Sequence, residues 1–166
     1  MPNWCFIKLS CDDICKDERF YTIDAGGKKY LDFKKIIPEP KTAKECRKNY
    51  GEEYIDKHDI SKMLLTHTKG NEWFNWYDWH IAFWGTKWDA CEVDYDDDLD
   101  IIYFQTAWSF PTPVIKKISE MLPGKNVVCE VEYEGEQGYD IVIYRDGKLY
   151  SAEPVDKARE ENETYS

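Results

Sequence analysis

Strand-forming runs and turn signals dominate the two ends of this chain, while the middle carries two stretches with apolar residues at helical spacing. Trp4-Cys-Phe-Ile-Lys-Leu9 is crowded with strand formers and predicts a first strand. Phe20–Ile23 and Lys29–Phe33 flank Asp24-Ala-Gly-Gly27, the pattern of a small hairpin. Pro38-Glu-Pro40 interrupts the pattern. Thr42–Tyr50 and Asp59–Leu65 then read as modest helices separated by Asn49-Tyr-Gly51. From Asn71 to Trp84, placed at 100° per residue, Trp73, Trp76, Tyr77, His80, Ile81 and Trp84 share one face. Asn75, Asp78 and Trp79 fall elsewhere. This predicts a helix capped by Asn71, ending before Gly85 and burying Trp73, Tyr77 and Trp84.

Two strands follow, Trp88–Tyr95 and Leu99–Trp108, around the polar turn Asp96-Asp-Asp98. In the second, Ile102, Phe104, Thr106 and Trp108 alternate with Ile101, Tyr103, Gln105 and Ala107. Both faces are largely apolar, as in a central strand. Thr112 and Pro113 predict an N-cap and first turn for a helix buried through Val114, Ile115, Ile118, Met121 and Leu122, stopped by Pro123-Gly124. Val127–Tyr133 and Tyr139–Tyr144 read as strands. Asp146-Gly147 predicts a two-residue type I′ turn, with positive φ at both positions, into Leu149–Ala152. The order is β-α-β-β-α-β with added hairpins. That order predicts an α+β, ferredoxin-like split βαβ domain with a mainly antiparallel sheet and helices on one face. A single domain is expected over 1–153, with an irregular insert near 11–70. A polar flexible tail is expected over 154–166.

Charge narrows the functional classes. The net charge is −11, which disfavours an unspecific nucleic-acid binder, since such affinity comes from neutralised phosphates. The acid is concentrated after Trp88. The Lys28–Lys48 stretch is basic, so the chain is electrically lopsided and can steer a charged partner. The N-terminus has neither the basic nor the apolar region of a leader, and no window approaches a membrane span. The expected location is the cytoplasm of a bacterial host. There the six cysteines stay reduced and serve mostly as small core residues.

Four separated motifs resemble one family: Met1-Pro-Asn-Trp-Cys5; Phe33-Lys-Lys-Ile-Ile-Pro-Glu-Pro40; Trp84-Gly-Thr-Lys-Trp-Asp-Ala90; and Phe104-Gln-Thr-Ala-Trp-Ser109 followed by Pro111. Together they are similar to the YubB-type ferredoxin-like domain family of plasmid- and phage-borne proteins, over roughly residues 1–140. The resemblance implies a ferredoxin-like fold and a mobile-element origin. It carries no reaction and no ferredoxin chemistry.

Catalytic and metal signatures are weak. Cys11 and Cys15 form the one close thiol pair and lack the second pair that zinc or iron–sulfur ligation uses. Asp94-x-Asp96-x-Asp98 opens like a calcium loop. It then places Leu99 where glycine is required and Gln105 where glutamate is required. His80 reads as a packed, hydrogen-bonded core residue, and His58 and His67 have no suggestive partners. No nucleophile elbow or phosphate loop is present. No catalytic residue, metal or cofactor is therefore expected.

Trp84-Gly-Thr-Lys-Trp88 combines two rings, a hydroxyl and an ammonium at a helix-to-strand turn. One reading is a tight connection, with Gly85 as the helix C-cap and both rings in the core. The other is a small anionic or aromatic ligand site. The expected ligand-binding set is Trp84, Thr86, Lys87, Trp88, Thr106, Trp108 and Ser109, beside the N-terminus of the Pro113 helix. A second expected surface is acidic: Asp94, Asp96, Asp97, Asp98 and Asp100. The resulting expectation is a non-enzymatic phage or plasmid accessory protein that binds a host or element macromolecule, with counter-defence inhibition through that acid as one such role. A host or phage protein is the first partner. A nucleotide or single-stranded nucleic acid is the alternative, with aromatic rings stacking bases. No membrane partner is expected.

Overall fold

The computed structural model describes residues 3–40, 45, 48–49, 64–66, 72–74 and 76–155. The elements are β1 (Trp4–Ser10), a 3₁₀ turn (Ile14–Lys16), β2 (Tyr21–Ile23), β3 (Lys29–Leu31), α1 (Phe33–Ile36), β4 (Leu64–Thr66) and β5 (Glu72–Phe74). They continue with α2 (Trp76–Phe83), β6 (Cys91–Asp96), β7 (Ile101–Ala107), α3 (Thr112–Met121), β8 (Val127–Tyr133), β9 (Tyr139–Arg145) and β10 (Lys148–Val155).

The main sheet has six strands in the order β10-β9-β8-β1-β7-β6. Every described pairing in it is antiparallel. Its four strands β8-β1-β7-β6 give the split βαβ arrangement: β1 and β6 are parallel strands separated by β7. The β9–β10 hairpin extends the β8 edge. The α+β, ferredoxin-like expectation therefore describes the molecule.

Strand alternation sets the two faces. Cys5, Ile7 and Leu9 of β1, Ile102 and Phe104 of β7, and Cys129 and Val131 of β8 are buried in one core with Val114, Ile115 and Ile118 of α3 and Trp79 of α2. The intervening residues Phe6, Lys8, Tyr103, Gln105, Glu130 and Glu132 point the other way. Asp32 caps α1 through its side chain, accepting from the Lys34 amide at 3.0 Å.

The Asp24-Ala-Gly-Gly27 hairpin and the Asp146-Gly147 turn both form as expected. Asp146 has φ 50° and Gly147 φ 76°. The amide of Gly147 donates to the Ser119 hydroxyl at 2.8 Å, fastening this turn to α3. Pro154 lies in β10 at the sheet edge, where a missing donor is tolerated.

Other expectations need correction. The helix expected from Asn71 begins at Trp76, because Glu72–Phe74 pairs with Leu64–Thr66 as strand instead of helix. Its buried side is also rotated: Trp79, His80 and Phe83 are buried, while Trp76, Tyr77 and Ile81 are exposed. Almost every residue of Trp-Tyr-Asp-Trp-His-Ile-Ala-Phe is apolar or aromatic, so spacing alone cannot single out the inner face. Trp84 is buried as expected, Tyr77 is not, and the Trp73 side chain lies outside the described residues, as do His58 and His67 and most of Thr42–Tyr50. The cap of α3 is Pro111 without a side-chain hydrogen bond, one residue before Thr112.

Candidate functional site

Helix α2 ends where Trp84 and Gly85 both donate their amides to the His80 carbonyl, at 2.8 and 3.0 Å. Gly85 has φ 76°, and a Cβ there would sit 2.8 Å from Pro113 Cδ. Glycine thus lets the chain reverse hard against the start of α3. The next residues divide into those that turn inward and those that turn outward.

Trp84 is fully buried, and its Nε1 donates to the Ile37 carbonyl at 3.0 Å. Its ring stacks on His80 at 4.1 Å. His80 is itself fully engaged: Nδ1 lies 2.6 Å from the Lys87 carbonyl and Nε2 lies 2.8 Å from Glu39 Oε1. A carbonyl only accepts, so Nδ1 carries a hydrogen. This is the packed histidine the sequence suggests. Thr86 donates to the Ala107 carbonyl at 2.7 Å and Thr106 to the Ser109 carbonyl at 2.7 Å, while Ser109 donates to the Gly85 carbonyl. The Thr86 and Ser109 hydroxyls lace the 84–88 turn to the end of β7, the Thr106 hydroxyl fastens the residues that follow β7, and all three donor hydrogens are committed to the protein itself.

Lys87, Trp88 and Trp108 turn outward and meet. Lys87 Nζ lies 4.6 Å from the Trp88 ring centre and 4.8 Å from that of Trp108, an ammonium between two indoles. The rings stay 37% and 45% exposed. Trp88 also faces Trp4 at 6.4 Å, Trp108 faces Tyr77 at 6.2 Å, and Tyr77 faces Trp76 at 6.1 Å. The result is a continuous surface band: Trp76, Tyr77, Trp108, Lys87, Trp88, Trp4. Trp108 adopts φ 74°, a conformation that a bulky side chain rarely takes. Its amide is held by the Asn3 carbonyl at 2.7 Å. The turn brings Lys87, Trp88 and Trp108 together on the surface and puts Trp84, Thr86, Thr106 and Ser109 into the supporting frame.

The start of α3 offers little to an anion. The amides of Thr112, Val114 and Ile115 already donate to the carbonyls of Phe110 and Pro111. Behind the band, Asp89 Oδ1 accepts from the amides of Phe33 and Ala90 at 3.0 and 2.7 Å. Burial pushes its carboxyl up to about 6 despite these bonds.

The acidic residues of the β6–β7 turn also carry local structure. Asp96 accepts from the amides of Asp98 and Leu99, and Asp97 pairs with Lys29 at 2.9 Å. Asp94 and Asp98 are exposed, and the Asp100 carbonyl accepts from the Cys11 amide. Burial pushes the thiols of Cys11 and Cys15 up to about 11 and that of Cys5 to about 12. Among the described residues, no group of three His, Cys, Asp or Glu side chains is placed to hold a metal ion. Among them, too, no helix is long and apolar enough to cross a membrane.

Sequence reasoning missed two parts of this surface. Trp76 and Tyr77 were placed on the inner face of their helix. The outer face of the sheet carries a depression of roughly 580 Å³ lined by Phe6, Lys8, Glu92, Tyr103, Glu130 and Glu132, among others. The alternation Val-Val-Cys-Glu-Val-Glu-Tyr in β8 was the available signal, since its glutamates share the face opposite the core.

The fold and this surface describe a ferredoxin-like α+β domain with an exposed aromatic band. Residues 83–165, half of the chain, match the family model described as a ferredoxin-like domain in Api92-like protein, and the chain belongs to that family. The match takes in β6 to β10 and α3; the central strand β1 comes from outside it. No curated protein and no solved structure matches the chain.

Proposed function

We propose that this chain is a non-enzymatic binding protein that docks a protein partner on the band from Trp76 to Trp4. The observation that carries the reading is Lys87 held between Trp88 and Trp108, with Trp108 kept half-exposed in a strained backbone conformation. Strain of this kind persists where the surroundings over-determine it, and it clusters at functional positions. Tryptophan and tyrosine are also among the residue types that dominate protein–protein contacts. The YubB-type resemblance supports a phage or plasmid accessory role in a bacterial cytoplasm. The partner is then a host protein or one encoded by the element, and counter-defence inhibition is one such role.

The aromatic rings around a lysine favour one other reading, a stacking platform for a nucleotide or single-stranded nucleic acid. Such platforms combine rings with a basic groove. Here Lys87 is the cation within the band, and the neighbouring sheet face carries Glu92, Glu130 and Glu132. The protein reading is therefore the stronger.

The test is capture from host lysate with the parent, Lys87→Ala and Trp108→Ala proteins, alongside fluorescence titration of each with oligo-dT and nucleotides. The reading expects a protein captured by the parent and lost with both folded variants. Full capture by both variants removes it. Saturable quenching by oligo-dT that Lys87→Ala abolishes favours the nucleic-acid alternative.

A further inference from the structure

We infer that the open face of the sheet is a receptor for a cationic side chain, best met by an arginine in a basic peptide segment of the partner. This deepens the protein-partner reading and rests on it, but the site is distinct from the band. Strand register defines its floor. Glu130, Lys8, Tyr103 and Asp94 form one row across β8, β1, β7 and β6. Glu132, Phe6 and Gln105 form the next. The depression between them has a volume of roughly 580 Å³. Two of its aromatic lining residues, Phe6 and Tyr103, remain 38% and 40% exposed.

Charge and shape then select the occupant. Three of the lining side chains are carboxylates, Glu92, Glu130 and Glu132, against the single ammonium of Lys8. Lys8 pairs with Glu130 at 3.5 Å, so the lining keeps a negative balance. Aromatic faces attract cations, and a guanidinium can lie flat on a ring while forking towards a carboxylate. Phosphate would meet the same carboxylates and be repelled. A second copy of this chain would bring its own acidic face to a two-fold contact, which like charges oppose.

Glu92 has φ 47° inside a bulge, where the register slips between Cys91 and Asp94 opposite Gln105 and Tyr103. A bulge re-aims a side chain, and here the re-aimed residue is a carboxylate lining the depression.

The experiment uses the full chain, labelled with ¹⁵N, titrated with the pentapeptide acetyl-Gly-Arg-Gly-Arg-Gly-amide. The control is its citrulline counterpart, which keeps the shape and loses the charge. The arginine peptide should shift the amides of Phe6, Tyr103, Gln105 and Glu130. The citrulline peptide, and the arginine peptide on Glu92→Gln, should each bind about tenfold more weakly, as loss of a charge-assisted contact implies. Glu130→Gln tests the same site without touching the bulge. Trp108→Ala, which alters the band, should leave peptide binding intact, so the two readings fail separately. Equal binding of the citrulline peptide overturns the inference. So does an absence of shifts on the sheet face, unchanged affinity in both glutamine variants, or loss of peptide binding in Trp108→Ala. A deoxythymidine decamer that shifts the same amides overturns it as well.

Discussion

Asp89→Asn tests whether the frame behind the aromatic band is built around a carboxyl group that prefers to be neutral. Asp89 follows Trp88 directly, and its Oδ1 receives the amides of Phe33 and Ala90. This oxygen therefore ties the start of α1 to the residue before β6. Burial raises its carboxyl from the ordinary 3.8 to about 6. The sign follows from linkage. Below about pH 4 the group is protonated in both states and its full contribution to stability is present. As pH rises, the unfolded chain releases this proton first, so the contribution is lost progressively until about pH 6. A shift of roughly two units corresponds to about 3 kcal/mol at most. Asparagine keeps an acceptor for the two amides and does not ionise. Other carboxyls titrate in the same window, so the quantity to read is the difference between parent and variant. Urea unfolding followed by tryptophan fluorescence, at pH 4 and pH 7, should show the variant gaining relative to the parent by about 2–3 kcal/mol across that interval. Parallel pH profiles would refute the reasoning, because they would mean that Asp89 ionises in the folded protein as easily as in the unfolded chain.

Two further substitutions probe the frame. Gly147→Val should cost more than about 1 kcal/mol in urea unfolding, because it forces a β-branched residue to φ 76° and sets a Cβ against the Glu120 side chain; an unchanged midpoint would deny the type I′ turn. Trp84→Ala should cost about 3–5 kcal/mol, as a fully buried ring is lost and the Ile37 carbonyl loses its donor; a melting temperature within a degree or two of the parent would deny that Trp84 is core.

The fold was legible where local chemistry is decisive. Asp146-Gly147 admits few alternatives to its turn, and the spacing of Val114, Ile115 and Ile118 gives α3 a single inner side. Helix α2 was not legible in the same way. With rings on every side, its buried face is chosen by what packs against it: Trp79 is enclosed by Phe83 and Trp84, and His80 is tied to Glu39, forty-one residues earlier. The candidate site divides for a related reason. The sequence shows that Thr86, Lys87, Trp88, Trp108 and Ser109 come close together, but the direction of each side chain depends on long-range hydrogen bonds. The depression on the sheet was hidden because its floor is assembled from β1, β6, β7 and β8, whose order exists only after folding.

Trp108 offers the sharpest separation between frame and surface. Both faces of β7 were expected to continue through it, yet the chain departs from strand geometry there, and the residue sits at φ 74°. Holding a non-glycine residue in that region costs about 1–2 kcal/mol. Trp108 remains 45% exposed, and its ring lies against Lys87 and Tyr77 at the surface. An exposed cation–π contact contributes about 0.5–1 kcal/mol. Comparing Trp108→Ala with Trp108→Gly removes the same ring twice and changes only the backbone preference. Glycine loses some of its advantage to the greater freedom of the unfolded chain, but at positive φ it should still leave the protein about 1 kcal/mol more stable than alanine does. Both variants should lose the partner. A glycine variant that melts with or above the parent while failing to bind would show that the strained indole is kept for recognition. An alanine variant as stable as the glycine one would remove the strain. A parent far more stable than both would return Trp108 to the core, and the band would then lose its central ring.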